Sequence, residues 1–65
     1  MRIILNGESR TVTASTLADA LIELDFGDAI VATAVNGRFV PVSARATHAL
    51  AEADALEVLA PMQGG

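Results

Sequence analysis

The fold of this chain is decided first by MRIILNGESRTVT, residues 1–13. An apolar, β-branched run from Met1 to Leu5 stands before Asn6-Gly7, and a second strand-forming run follows from Glu8 to Thr13. Asn-Gly between two such runs is the strongest short hairpin signal, because a type I′ turn needs a positive φ at both central residues. The stretch therefore predicts an opening β-hairpin, whose second strand contributes Val12 to the core.

The following segment predicts one amphipathic helix, from about Thr16 to Asp25. Ser15 and Thr16 precede it as N-cap residues, and Asp19 follows Thr16 at the spacing of a short capping box. The apolar stripe at helical spacing consists of Leu17, Ala20, Leu21 and Leu24, and the residues expected to face water are Asp19, Glu23 and Asp25. Gly27 is expected to end the helix.

A second hairpin is predicted around Asn36-Gly37. The apolar run Ile30 to Val35 leads into this turn, and Arg38 to Val40 returns from it as a brief strand. Pro41 is expected to end that strand, since proline has no N–H to donate to a ladder. The pattern of the run Ile30 to Val35 leaves open which of its faces lies inward.

The last strand is predicted from Ala55 to Ala60, after a weakly patterned segment. That segment, Val42 to Ala53, is interpreted as a loop or a single helical turn with Leu50 tucked into the core. Within the strand, one face carries Leu56, Val58 and Ala60, and the other carries Glu57 and Leu59. Pro61 is expected to stop the ladder.

These elements predict one α+β domain, residues 1–60, in which a mixed sheet of about five strands carries one main helix across it. The first and last strands can lie side by side in the centre of the sheet, which sends the C-terminus outward. Residues 61–65 are expected to form a flexible tail that reaches at most about 17 Å when extended. This reach would let the tail enter a partner's active site while the domain docks outside.

Composition narrows the classes of function. With 65 residues, 52% of them hydrophobic, and a mean hydropathy of +0.49, the chain is expected to fold around a small core without a deep pocket, which disfavours an internal active site. The formal charge of −4 and the pI near 4.5 argue against nucleic acid as a partner. The sequence has no cysteine, no signal segment and no apolar run of membrane length. We therefore expect a cytoplasmic protein without membrane partners, a monomer when free.

The candidate reactive group is the C-terminal carboxylate, carried on Gly64-Gly65. Two glycines give a thin strip of backbone that can enter a narrow channel, although a frayed chain end is the alternative. The sequence offers no Ser/His/Asp catalytic set, and its one histidine, His48, is interpreted as a surface residue. The acidic stretch of Glu52, Asp54 and Glu57 is either solvated surface or a docking patch for a basic partner.

Ile4 and Leu59 are both predicted to face outward on neighbouring central strands. Single exposed apolar residues are ordinary on protein surfaces. Two of them on adjacent strands near the tail would instead begin an interaction patch, and we take them as a candidate docking patch.

Three features together resemble one known family. They are the segment AVNGRFVP, residues 34–41, then Asp54 before the last strand, and the terminal Gly64-Gly65. In these the chain resembles the ThiS family, the sulfur carrier protein of thiamin biosynthesis, over its whole length. The resemblance implies a ubiquitin-like β-grasp fold. Two places depart from the family pattern: Val42-Ser43-Ala44, where a basic residue and a tryptophan are common, and Ala53, where glycine is usual.

The resemblance implies a protein cosubstrate rather than an enzyme, with no catalytic residues of its own. An E1-like adenylyltransferase would use ATP to adenylate the carboxylate of Gly65. Sulfur from a persulfide, supplied through a cysteine desulfurase or another donor, would convert the adenylate to a thiocarboxylate, which would deliver its sulfur to thiazole synthase for the thiazole ring. Gly64 would keep the tail slim, and Pro61, Met62 and Gln63 would guide it. No permanently bound cofactor and no metal are implied.

Two alternatives stay open at this point. The small subunit of molybdopterin synthase uses the same chemistry for another acceptor, but those carriers usually run longer. A β-grasp binding module without covalent chemistry would make the glycines incidental.

Overall fold

A computed structural model describes residues 1–60, in which five strands form one mixed sheet with the order β2-β1-β5-β3-β4. The elements in chain order are β1 (Arg2–Leu5), β2 (Glu8–Thr11), α1 (Leu17–Glu23), β3 (Ala32–Val35), β4 (Arg38–Val40), a 3-10 helix (Val42–Thr47) and β5 (Ala55–Leu59). β1 and β5 pair in parallel, and the other neighbours are antiparallel. This confirms the predicted fold class and the central placement of the first and last strands.

Both Asn-Gly pairs form the predicted hairpin turns. Asn6 and Gly7 have φ values of 48° and 86°, and Asn36 and Gly37 have 52° and 81°. These are the positive values that a type I′ turn requires, and asparagine and glycine adopt them most readily. Local chemistry thus sets the two hairpins that flank β5.

The second strand is shorter than predicted, because it ends at Thr11 rather than Thr13. Val12 is fully buried, as expected, and its N–H still donates to the Met1 carbonyl at 2.8 Å. The N–H of Thr13, however, donates to the two carboxylate oxygens of Glu23 at 3.0 and 2.9 Å. At Thr13 the backbone therefore hydrogen-bonds to a side chain of the helix instead of continuing the sheet.

The helix begins as predicted but ends earlier. The Thr16 hydroxyl accepts from the Asp19 N–H at 3.3 Å. At the other end Asp25 adopts a φ of 71°, and the N–H of Phe26 donates to the Leu21 carbonyl at 2.7 Å. This is the pattern of a Schellman motif with Asp25 in the left-handed position. The prediction that Gly27 ends the helix is wrong, since an aspartate supplies the conformation that glycine was expected to supply.

One face of the sheet and the apolar stripe of α1 enclose the core. Its buried residues are Ile3, Leu5, Val12, Leu17, Ala20, Leu21, Leu24, Val35, Val40, Leu50, Leu56 and Val58. The whole predicted helical stripe is among them, as are the inward residues predicted for β5 other than Ala60, which is exposed after the strand has ended. The core therefore lies between α1 and one face of the sheet, leaving the other face open.

The inward face of β3, which the sequence left open, carries Thr33 and Val35. Thr33 is the buried polar side chain of the core: its hydroxyl donates to the Val40 carbonyl at 2.8 Å and accepts from Arg45 Nε at 3.1 Å. Arg45 Nη2 also donates to the Val31 carbonyl at 2.6 Å. The 3-10 helix is thus fixed to the sheet through one guanidinium.

The weakly patterned segment after β4 contains the 3-10 helix and then returns to the start of α1. The Leu17 N–H donates to the His48 carbonyl, and the Leu50 N–H donates to the Ser15 carbonyl, both at 2.9 Å. Leu50 is buried, as predicted. Within residues 1–60, no helix is long and apolar enough to cross a membrane.

Acid is expected to destabilise the fold through Glu23. The backbone N–H of Thr13, with further hydrogen bonds from Ala14 and the Thr13 hydroxyl, lowers the pKa of Glu23 below its ordinary value. A carboxyl whose pKa is lower in the folded state contributes stability above its unfolded pKa, and that contribution is lost as pH falls through the folded pKa. Glu23→Gln should therefore flatten the fall of Tm below about pH 4.5.

Thermal unfolding monitored by circular dichroism across this pH range measures the effect. Glu8→Gln serves as the matched control, because Glu8 is an exposed residue of β2. An equally steep fall of Tm in the Glu23→Gln variant and the parent chain would contradict the assignment.

Ala53 is expected to limit stability, because its φ of 69° lies in the left-handed region. This conformation lowers the stability of the folded state by roughly 1–2 kcal/mol for a residue with a Cβ atom. Glycine adopts this φ freely, but it costs about 0.4–1 kcal/mol of stability because it raises the conformational entropy of the unfolded chain. Ala53→Gly should therefore raise the free energy of unfolding by roughly 0.5–1 kcal/mol. Urea titration of this variant provides the test. Ala51→Gly is the control, because Ala51 lies in the same turn without a positive φ, and this variant should lose stability. A loss of stability in both variants would contradict the prediction.

Candidate functional site

The candidate site begins with β5, the strand that leads into the tail. β5 pairs with β1 in parallel at Leu5↔Leu56 and with β3 antiparallel from Ala32↔Leu59 to Val35↔Leu56. The predicted modification site, Gly65, and the predicted guiding residues, Pro61, Met62, Gln63 and Gly64, lie outside the described residues. The structure therefore describes the base from which the tail starts, up to Ala60.

Two side-chain amides hold β5 at its two ends. Asn6 Oδ1 accepts from the Val58 N–H at 2.9 Å, and Asn6 Nδ2 donates to the Val58 carbonyl at 3.1 Å. On the other side of the strand, Asn36 Oδ1 accepts from the Ala55 N–H at 2.9 Å, and the Asn36 N–H donates to the Ala55 carbonyl at 2.7 Å. The two turn asparagines thus clamp the strand in addition to forming their turns.

Sequence reasoning assigned these asparagines to turns alone. Asparagine is favoured in such turns for its backbone conformation, so the turn signal carries no information about where its amide points. The signal that could have found the second role is topological. If β5 lies between β1 and β3, the turns that end β1 and β3 both lie against it.

The acidic stretch divides into two kinds of residue. Asp54 Oδ2 accepts from the Ala51 N–H at 2.8 Å and Oδ1 accepts from Asn36 Nδ2 at 2.9 Å, and these two hydrogen bonds lower the pKa of Asp54 below its ordinary value. Glu52 Oε1 accepts from the Arg2 N–H at 3.0 Å. Glu57, by contrast, is exposed on the open face of β5. Asp54 and Glu52 therefore make hydrogen bonds within the fold, whereas the Glu57 carboxylate is exposed to solvent.

His48, interpreted from the sequence as a surface residue, is half-buried beside this stretch. The electrostatic interaction with His48 is the smallest of the causes that lower the pKa of Asp54. Among residues 1–60, no group of three or more potential ligand side chains is arranged to hold a metal ion.

Ile4 and Leu59 lie on the same open face, but they are not adjacent. Leu59 is 63% exposed, whereas Ile4 is half-buried and therefore less accessible. Ile4 is paired with Ala55, which precedes Leu59 by four positions along β5. At the rise of a strand this separates the two by about 13 Å. The structure therefore places one predicted docking residue next to the tail and the other farther along the sheet.

The apolar neighbours of Leu59 come instead from β3 and the residues just before it, and the open face continues from there to β4. Ala32 is paired with Leu59, and the next outward row runs from Glu57 through Ala34 to Phe39, which is 69% exposed. Ile30, 83% exposed, lines a shallow depression together with Ala32, Leu59 and Ala60. We call Leu59, Ala32, Ala34, Phe39 and Ile30 the open-face patch.

Phe39 was missed as a candidate from the sequence. Alternation gives the signal: if Val40 points into the core, its neighbour on a strand must point out. The side chain of Phe39 is large and apolar, so its exposure on the open face is more informative than that of a smaller residue.

The chain is similar to known proteins both in sequence and in fold. The chain matches the ThiS family over residues 3–65. It is 38% identical over 66 residues to a thiazole synthase of Paramagnetospirillum magneticum; the match covers 100% of this chain but only 20% of that protein, so the chain spans about a fifth of its length.

Two solved structures share the fold along the whole chain. The crystal structure of the thiamine biosynthesis protein (ThiS) of Geobacter metallireducens superposes with a TM-score of 0.84 at 28% identity, covering 100% of both chains. The solution NMR structure of a thiamine biosynthesis protein from the same organism gives 0.78 at 26% identity, covering 100% of this chain and 88% of the other. With the family match running from the first strand to residue 65, this ubiquitin-like β-grasp chain belongs to the ThiS family, the sulfur carrier family that its motifs resemble.

Proposed function

We propose that this chain carries sulfur for thiazole formation in thiamin biosynthesis, as a thiocarboxylate on Gly65. The observation that carries the proposal is the ThiS family match over residues 3–65, which includes the glycine pair of the tail. The clamped strand β5 supports it, because it gives that tail a fixed starting point beside an exposed apolar patch.

The first step activates the carboxylate. A carboxylate is a poor electrophile, so an E1-like adenylyltransferase supplies ATP, and a Gly65 oxygen attacks its α-phosphorus with loss of pyrophosphate. The product is an acyl adenylate whose leaving group is AMP. The two tail glycines have no side chains to obstruct a narrow channel.

The second step brings in sulfur. The terminal sulfur of a persulfide, formed through a cysteine desulfurase or another donor, attacks the acyl carbon and displaces AMP. This leaves an acyl disulfide, which a thiol cleaves by thiol–disulfide exchange to give the thiocarboxylate and a new disulfide. The thiocarboxylate then gives its sulfur to thiazole synthase; a relative that bears this name contains a segment similar to the whole of this chain.

Intact-mass measurement tests the covalent chemistry. The chain is incubated with its E1-like adenylyltransferase, ATP and a persulfide donor, with a reaction lacking ATP as the control. We expect the mass increase of one oxygen-to-sulfur exchange at the C-terminal residue. If the mass stays unchanged while the enzyme is active on another carrier, the sulfur carrier proposal fails. Thiazole auxotrophy after deletion of the gene would then assign the carrier to thiamin rather than to molybdopterin.

We further propose that the partners dock on the open face. Leu59 lies directly before the tail, and the other residues of the open-face patch extend from it across β3 to β4. Ile4 extends this face toward β1, and Glu57 supplies a carboxylate for a basic partner. Exposed apolar residues grouped around a functional segment are typical of interaction sites. The globular part can then bind outside a partner's active site while residues 61–65 enter it.

Leu59→Asp should weaken binding to the adenylyltransferase about tenfold or more, because it places a charge where an apolar side chain is buried on docking. Its stability should change by less than about 0.5 kcal/mol, since Leu59 is exposed in the free chain. The matched control is Ile22→Asp: Ile22 is 64% exposed against 63% for Leu59, but it lies on α1. Titration calorimetry with both variants provides the measurement, and equal affinities would exclude the patch.

A further inference from the structure

The amide of Asn6 replaces a piece of missing strand. β1 ends at Leu5, and the last backbone rung toward β5 is the Asn6 N–H, which donates to the Leu56 carbonyl at 2.9 Å. A parallel ladder that continued would next place a peptide group of β1 against Val58. The chain turns into β2 instead, and the Asn6 side-chain amide, with its own carbonyl and N–H, bonds both backbone groups of Val58.

The turn itself does not require this amide. Glycine and aspartate also adopt a positive φ at the first central position of a type I′ turn. Asn36 holds the equivalent place in the second turn, yet its amide bonds Ala55 and Asp54, at the entry of β5. The two turns are therefore alike in conformation but act on opposite ends of the strand. Asn6 acts on the end nearer the tail.

We propose that Asn6 is a positioning residue that sets the point at which the chain leaves the sheet. The inference rests on the proposed function, in which a docked domain must deliver its C-terminal carboxylate to a partner's active site. If Val58 lost both bonds to Asn6, the strand end would fray, and each freed residue would add up to about 3.3–3.6 Å of slack between the open face and the carboxylate.

Such slack matters because of the distances at which acyl groups react. Reacting atoms must be held about 3–3.5 Å apart, and a misplacement of 1 Å can lower a rate about 100-fold. Leu59, which directly follows Val58, would then be held on the open face only by its pairing with Ala32 of β3. Asn6 therefore keeps the docking surface and the start of the tail in one rigid unit.

The comparison of Asn6→Gly with Asn36→Gly tests this role. Both variants keep a permitted turn residue and lose an amide that binds β5, so both lose stability. Only Asn6→Gly should lower kcat for ATP–pyrophosphate exchange by the E1-like adenylyltransferase, by about 10- to 100-fold, with a smaller change in KM for the carrier. Assays are run at a temperature where both variants are folded. If Asn6→Gly does not fold, Asn6→Asp, which keeps the acceptor for Val58, replaces it.

A second readout needs no enzyme. In the free chain, amide hydrogen exchange and ¹⁵N relaxation at Val58, Leu59 and Ala60 should show a loosened strand end in Asn6→Gly but not in Asn36→Gly. Unchanged protection, or equal loss of kcat in both variants, overturns the positioning role. If the unsubstituted chain itself supports no exchange, the proposed function and the part of Asn6 in activation both fall, while the relaxation data still decide whether Asn6 holds the strand end.

Discussion

Deletion of Gly65 is expected to lower the rate of adenylation at least 100-fold while leaving the fold unchanged. Removing one residue shortens the reach of the terminal carboxylate by up to about 3.6 Å. This loss is as large as the distance of about 3–3.5 Å at which the carboxylate oxygen and the α-phosphorus must be held to react. The fold should not respond, because the last strand ends at Leu59. ATP–pyrophosphate exchange measures the rate, and urea unfolding measures stability.

Glu8→Gln, an exposed change on β2, is the control for this deletion, because it leaves the tail and its length unchanged. It should retain most of the adenylation rate. A plain β-grasp binding module would keep both its partners and its role after loss of Gly65. Normal exchange with the shortened chain would show that Gly65 is not required as the acyl group. Unchanged partner binding with no exchange by either chain would favour the binding module.

Leu56→Ala is expected to have the largest effect on stability. Leu56 is fully buried, and it faces Leu5 on one neighbouring strand and Val35 on the other. Truncation of a buried leucine to alanine costs about 2.7–5 kcal/mol. A 65-residue domain has in total roughly 3–10 kcal/mol. The variant should therefore be largely unfolded at 37 °C, or close to its unfolding midpoint.

The same substitution at Leu59 provides the control, since Leu59 belongs to the same strand but points to the open face. Leu59→Ala should cost less than about 0.5 kcal/mol, because an exposed side chain leaves no cavity. Denaturant unfolding of both variants gives the comparison. Equal losses of stability would mean that the two faces of β5 do not divide into core and docking surface.

The parts of the fold that sequence alone could predict are those that local chemistry determines. The two Asn-Gly turns follow from the conformations these residues adopt, and the buried stripe of α1 follows from helical spacing. The inward places of Leu56 and Val58 follow from alternation on a strand. The predicted end of the helix was wrong because Asp25, an aspartate, adopts the left-handed conformation that glycine usually adopts after a helix.

The candidate site was predicted less completely, because its parts meet only in three dimensions. Leu59 could be placed on an outward face, but its neighbour Ala32 and the exposed Phe39 depend on the register of β3 against β5 and β4. The bonds of Asn6 to Val58 join residues 52 positions apart. The preference of asparagine for turns does not indicate which distant residue its side chain contacts. The hydrogen bonds that hold the last strand were therefore found only in the structure.

The central position of β5 has a consequence for synthesis of the chain. A ribosome that has translated as far as Val40 has made four strands, but β1 and β3 have no strand between them until β5 follows. The two hairpins therefore cannot join into one sheet until translation has passed Leu59. Closure of the sheet depends on long-range contacts, of the kind that makes folding slow. Under the proposed function, the docking face and the tail become available together, and a nascent or half-folded chain is not a substrate for activation.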